Sequence, residues 1–399
     1  VRHNGTYPII GIDELRLKKQ SDIIKNASIP LRDYHEWRKI ANLMKYETFF
    51  TRRGKSWGTS VGSQNDLSLY DPIVTHCIAK WLLVDYKLNS YPYHDLNIVN
   101  VYTDLRQSLR IAKTMMTYFK TVLSETMFER IRYMMVPLYD HEPIQVEKIC
   151  QSIPGDVNLI SDSAIFFSQP DGGDNDKYPF IIEDPVSIIM LNDVIKNLPH
   201  DLVKFSHEKR QWEQAYTDFN PDGLESLRFE SDLDFWCKFA IGKTLDDKLP
   251  STRESTHGLY IPTRLAQLFE MIKRCAPQHK FLAVDEPQRW NPTFLSMIKL
   301  CLGYEPIRGS KIIESQMDSI WRKSGRGGNG PVFTTDFTQI QQMYMNINGM
   351  GRTSEIDDIG EFVDKWVNLG QDYDQSFTRE KLESQLQMIN ESSLAVIHS

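Results

Sequence analysis

Between Leu96 and Phe119 an apolar run, Leu-Asn-Ile-Val-Asn-Val-Tyr, passes through Thr103-Asp104 into a helical pattern, and this constrains the fold most. Leu105, Leu109, Ala112, Met115, Phe119 and Val122 follow at steps of four, three, three, four and three, so they share one face of a helix. Ile98 to Tyr102 reads as a buried strand. Strand, tight turn and amphipathic helix together make half of a βα unit. Where such a unit holds an adenine cofactor, the turn uses glycine so that backbone N–H groups and the helix N-terminus can approach the ligand. Here the turn is Tyr102, Thr103, Asp104 and Leu105, without a glycine.

The alternation continues. Tyr133 to Val136 is a second strand ending at Pro137, followed by a helix around Ile144 to Ile149, a short strand Val157 to Ile160 and a polar loop from Gln169 to Lys177. Phe180-Ile-Ile-Glu and Ser187-Ile-Ile-Met-Leu are strand-like, and a helix Thr263 to Cys275 feeds a strand Lys280 to Asp285. This order implies an α/β fold with a mostly parallel sheet covered on both faces. Ligands of such sheets bind at the carboxyl ends of the strands, so Tyr102, Pro137, Asn192, Asp193 and Asp285 are expected to face one crevice. Upstream, Ile12 to Tyr46 is helical in pattern with Pro30 separating two helices, a Gly/Ser/Thr-rich loop follows, and Asp71 to Leu83 is a further helix. Three regions result: a helical N-terminal segment and loop over 1–90, an α/β domain with insertions over 91–345, and a C-terminal helical extension over 346–399.

At 399 residues the chain can form one large domain with insertions or two domains. A net charge of -7 argues against a general nucleic-acid binder. No apolar run reaches the ~20 residues that span a bilayer. The five cysteines, Cys77, Cys150, Cys237, Cys275 and Cys301, lie too far apart for a zinc knuckle or a disulfide framework, and the histidines form no HxxxH pair, so no metal is expected. The chain opens on Val1 rather than Met, which fits removal of an upstream segment.

Two glycine motifs fail on context. Gly54-Lys55-Ser56 lacks the earlier glycine of a phosphate loop, with Phe49 in its place. Gly325-Arg-Gly-Gly-Asn-Gly330 matches GxGxxG, but no strand precedes it and Pro331 follows, so it reads as a surface loop.

Taken in order, the segments resemble the MidA family, mitochondrial protein-arginine methyltransferases that act in complex I assembly. Pro30-Leu-Arg-Asp-Tyr-His-Glu-Trp through Thr48-Phe-Phe-Thr is similar to the family's N-terminal helix and Gly-Tyr-Tyr turn, and Ser56-Trp-Gly-Thr-Ser to its Asp-Phe-Ile-Thr-Ala loop. Asn97-Ile-Val-Asn-Val and Tyr133-Met-Met-Val-Pro sit where the family has its first two strands. Asn192-Asp-Val-Ile-Lys-Asn-Leu-Pro resembles Asn-Glu-Phe-Phe-Asp-Ala-Leu-Pro, Leu282-Ala-Val-Asp285 the strand before Asp-Tyr-Gly, and Thr334-Thr-Asp-Phe-Thr the family's Val-Asp-Phe-Thr. The resemblance implies a Rossmann-like class I methyltransferase sheet, S-adenosylmethionine as cofactor, a protein substrate or partner and a mitochondrial matrix location. It also implies cofactor contacts from Thr59, Tyr102, Thr103, Asp104 and Asp140, substrate contacts from Asn192 and Asp193, and Asp193 and Asp285 as catalytic candidates. Asn192 can equally cap the helix after its strand.

The departures fall where the cofactor sits. Asn100-Val-Tyr-Thr-Asp-Leu-Arg replaces the family's Glu-Leu-Gly-Pro-Gly-Arg-Gly, and Pro137 stands where a carboxylate holds the ribose. Lys196 replaces an Asp, and Glu286-Pro287 a Tyr-Gly. Losing two or three charge-assisted hydrogen bonds at about 1.5–3 kcal/mol each weakens binding by roughly a hundredfold or more. The first expectation is therefore a methyltransferase-like protein with weak or lost S-adenosylmethionine binding that acts as an assembly or interaction factor. The second is an active arginine methyltransferase with a diverged cofactor turn. The third is a module that contacts RNA or a ribosomal particle through Lys323 and Arg326.

Overall fold

The protein is seen in a computed structural model that describes residues 7–11, 14–15, 24–40, 70–139, 150–160, 185–191, 194–245, 258–288, 311–313, 331–349, 351–368 and 379–399. The expected helix at 144–149, the strand at 180–183 and the glycine motifs at 54–56 and 325–330 lie outside these residues. The chain divides into two units of interleaved segments, one made of Val1–Gly54, Lys196–Phe269 and Gln288–Gly349, the other of Lys55–Ile195, Glu270–Pro287 and Met350–Ser399.

The second of these units carries a seven-stranded sheet in the order β13-β14-β10-β5-β2-β3-β4. Its strands are β2 (Leu96–Tyr102), β3 (Ile131–Pro137), β4 (Asp156–Leu159), β5 (Val186–Leu191), β10 (Lys280–Asp285), β13 (Glu355–Asp358) and β14 (Ala395–His398). The five from β2 to β10 run parallel. Strand β14 lies antiparallel between β10 and β13. Strands β2 and β5 are buried along their whole length, which explains why their sequences read as continuous apolar runs. Helices α2 (Thr75–Asn89) and α3 (Leu105–Val122) contribute Ile78, Leu82, Met115 and Phe119 to a core shared with Ile98, Tyr133 and Leu282. Each such apolar side chain adds about 1.5–3 kcal/mol on burial.

From β2 the order runs to β3 and β4 on one side and to β5 and β10 on the other, so it reverses between β2 and β5. That reversal point is where an open α/β sheet leaves a crevice for a ligand. Pairing fixes the edge beside it: Tyr102 stands opposite Pro137, Val101 opposite Met190, and Leu191 opposite Val284.

The segment 346–399, read from the sequence as helical, supplies α9 (Ile359–Trp366) and α10 (Arg379–Glu391) but also β13 and β14, which extend the main sheet. Four-residue strands carry too little periodicity to register as such.

The other unit holds an antiparallel sheet in which β7 (Gln211–Phe219) pairs β8 (Glu225–Glu230), β6 (Asp201–Ser206) and β1 (Ala27–Pro30), while β9 (Leu259–Ile261) pairs β6. Pro30 therefore does not divide two helices. It closes a strand, and helix α1 begins at residue 31 and runs through residue 40. The pairing of Ala27–Pro30 with Tyr216–Phe219, far away in sequence, overrides the local pattern.

Below α1 lies a buried ionic network. Arg32 reaches Asp201 at 2.6 Å and Asp234 at 2.7 Å, while Arg264 reaches Asp33 and Glu36, both at 2.7 Å. The Gln214 amide donates to Asp201 and Asp234 at 3.2 and 2.9 Å. Asp234 also caps α6 (Phe235–Thr244), accepting from the Cys237 N–H at 2.8 Å. These charges come from four separate stretches of sequence, and their mutual contacts fix how those stretches pack.

Candidate functional site at the sheet's carboxyl edge

Tyr102 is the last residue of β2, only 4% exposed, and its ring belongs to the apolar core under α2 and α3. Thr103 and Asp104 form the turn and are half-buried. The Asp104 carboxylate accepts from the Gln107 N–H at 3.3 Å, and its carbonyl accepts from the Ser108 N–H at 3.0 Å. Asp104 thus caps α3, placing a negative charge where the helix dipole favours one.

Two residues before the turn stands Asn100, 1% exposed. Its Nδ2 donates to Ser108 Oγ and to the Tyr133 hydroxyl, both at 2.9 Å, leaving Oδ1 buried with no partner. Burial pushes the Tyr133 hydroxyl well above its usual range, against the opposing effect of its bond to Asn100, so it stays protonated. Asn100, Thr103, Asp104, Gln107 and Ser108 line one cavity with Tyr102, Ile111 and Leu191. The cavity volume is about 10 Å³, enough for one water-sized group. The orphaned Asn100 oxygen can receive a hydrogen bond from a donor of that size.

Asp285 ends β10 and is 1% exposed; its Oδ1 accepts from the Glu286 N–H at 2.8 Å. Pro137 ends β3, and the Leu138 N–H donates to the Tyr102 carbonyl at 2.7 Å, locking the two strand ends together. The structure thus brings Tyr102, Pro137 and Asp285 to one edge of the sheet. Thr59, Asp140, Asn192 and Asp193 lie outside the described residues. Lys196 is buried in the short helix α5 (Val194–Asn197).

Asn100 was not singled out by sequence reasoning, although it stands where the family keeps a Glu; the one available signal was a polar residue interrupting a buried strand. Two other features lie outside this edge. A cavity of about 150 Å³ at the amino edge of the sheet is lined in part by Asp85, Asn97, Ser187 and Lys280, and Lys280 pairs with Asp85 at 3.3 Å. Glu355, Asp357 and His398 gather on β13 and β14, where the Lys365 ammonium lies 2.6 Å from Asp357.

Residues 77–355 match the sequence family described as "Putative S-adenosyl-L-methionine-dependent methyltransferase". The chain belongs to this methyltransferase family. It is also 39% identical, over its full length and 97% of the relative's, to the mitochondrial protein arginine methyltransferase NDUFAF7 homolog of Saccharomyces cerevisiae. In fold it is similar to a protein from Burkholderia thailandensis in a structure bound to S-adenosyl-homocysteine. That match has a TM-score of 0.51 at 10% identity and covers 93% of this chain and 87% of the other. A native structure from the same organism matches equally well. The mixed seven-stranded sheet is thus the methyltransferase sheet that the sequence resemblance implied. Among the described residues no helix is long and apolar enough to cross a membrane.

Proposed function

We propose that the protein is an active S-adenosylmethionine-dependent methyltransferase that modifies arginine side chains of a mitochondrial matrix protein. Because a fold alone does not specify a substrate, the observation that carries this reading is the 39% identity across the whole chain to a relative named for protein arginine methylation. The seven-stranded sheet, whose order reverses beside the turn after β2, supports it from the side of the structure. Asn100, Thr103 and Asp104 hold the cofactor's polar end, with Thr59 and Asp140 as further contacts. Bound there, the cofactor would supply a methyl group to a guanidino nitrogen, which would give up a proton. Asn192 and Asp193 orient the guanidinium through its fork of donors, and Asp285 supplies negative charge at the end of β10.

Loss of the cofactor grip, the first expectation from sequence, draws its support from the glycine-free turn and Pro137. In our reading those changes lower affinity without abolishing it. The test is incubation with mitochondrial matrix proteins and S-adenosylmethionine carrying a deuterated methyl group, followed by mass spectrometry. Labelled methylarginine that disappears with Asp193→Ala is expected. Label confined to other residue types, or none while the cofactor binds, would overturn the arginine assignment.

A further inference from the structure

At the amino edge of the seven-stranded sheet, opposite the end where such sheets take their cofactor, a cavity of about 150 Å³ opens between α2 and the first residues of β2, β5 and β10. About 10–15 Å³ already holds a water, so this volume admits a small molecule. Its rim is tied down by the protein itself. The Tyr86 hydroxyl donates to the His94 carbonyl at 3.0 Å, and Arg130 donates to the Asp95 carboxylate at 2.9 Å and to the Pro92 carbonyl at 2.6 Å. Asp95, which also lies 3.2 Å from Arg132, is thereby neutralised.

The other charged groups lining the cavity are one cation and one anion. Lys280 stands directly opposite Ser187 in the parallel pairing of β10 with β5, so both side chains leave the same face of the sheet. Ser187 is only 7% exposed, and among the described residues its hydroxyl has no hydrogen-bond partner. A buried hydroxyl in that state calls for a ligand or a water. The Lys280 ammonium lies 3.3 Å from Asp85 Oδ1, longer than the usual charge-assisted bond of about 2.7–2.9 Å, and the Asn89 amide donates to that same oxygen at 2.7 Å. A cation and an anion at this spacing, with a hydroxyl beside the cation, complement a molecule that carries a carboxylate and an ammonium on one carbon. Leu96 and Pro185 add an apolar wall.

We propose that this cavity is a second binding site, for a free α-amino acid with an apolar side chain. Lys280 and Ser187 hold its carboxylate, Asp85 holds its ammonium, and the side chain lies against Leu96 and Pro185. The ligand thus replaces one long ion pair with two that it completes itself. The site stands apart from the methyltransferase reading and does not rest on it.

The test is calorimetric titration of the full chain with L-leucine, with 4-methylpentanoate, which lacks the ammonium, and with 3-methylbutylamine, which lacks the carboxylate. One-to-one binding of leucine is expected, with each analogue weaker by about tenfold or more, the size of one charge-assisted hydrogen bond. Lys280→Gln should weaken leucine by a similar factor. Ser187→Ala, which removes a single oxygen, should weaken it severalfold and serves as the second variant if thermal melting shows the first to be unfolded. No binding of leucine at millimolar concentration, as a cavity holding only water would give, overturns the proposal. Leucine binding that both folded variants leave unchanged lies elsewhere on the chain and also overturns it. Equal affinity for leucine and 4-methylpentanoate makes the cavity a site for anions alone, and overturns the assignment of an amino acid.

Discussion

Single side chains carry much of the balance between order and ligand binding. Tyr102 looks from the sequence like an obstacle in a cofactor turn, but its ring is part of the core beneath α2 and α3. Replacing it with Ala should destabilise the chain by about 3–5 kcal/mol, as for other large buried aromatics, and shift the urea midpoint accordingly. Arg32 is a second such point. Arg32→Ala leaves Asp201 and Asp234 without their guanidinium and should cost about 3–5 kcal/mol, the expected consequence of breaking a buried ion pair from one side. An unfolding free energy within about 0.5 kcal/mol of wild type would show that the pair is not formed in solution. Neither role was legible in the sequence. Arg32 and Asp201 are 169 positions apart, and nothing local marks their pairing.

Elements differ in how openly the sequence declares them. Helices α3 and α7 (Thr263–Cys275) were readable because their apolar residues recur every three or four positions. Strands β2, β5 and β10 were readable as short apolar runs bounded by turns. The antiparallel sheet of the other unit was not, since strands such as Asp201–Ser206 and Glu225–Glu230 mix charged and apolar residues in ways a half-exposed strand and a loop share. Strand β14 makes a testable case. All four of its residues are buried, and it joins β13 to β10. Removing residues 395–399 should expose the edge of β10 and leave a protein that aggregates or melts non-cooperatively. A truncated chain with a wild-type melting transition would contradict that role.

Over the whole molecule, stability should fall in weak acid. Burial lowers His279 to about 4 and His200 to about 3, so both imidazoles are neutral in the folded chain. In the unfolded chain they take up protons near their ordinary value of about 6.5. Between there and about pH 4 only the unfolded state gains these protons, so stability present above that range is lost as pH falls, by about 1.4 kcal/mol per pH unit for each imidazole. Asp33 and Asp201, whose carboxyls burial pushes up, act in the opposite sense. A His279→Gln variant isolates the effect and should show a shallower decline in denaturation midpoint between pH 6.5 and 4 than wild type; an identical decline would contradict it.

The methyltransferase frame was legible because its strand order leaves a trail of short motifs. The contacts of Asn100 were not, because they depend on Tyr133 and Ser108 meeting its amide from separate elements. The central claim, a methyltransferase fold that still holds its cofactor without a glycine turn, is most directly tested by titrating the purified chain with S-adenosylmethionine in a calorimeter. We predict saturable one-to-one binding in the range of about 1 μM to 1 mM, where enzymes commonly meet their substrates. No heat of binding up to several times the upper limit, from a chain shown to be folded, would contradict it.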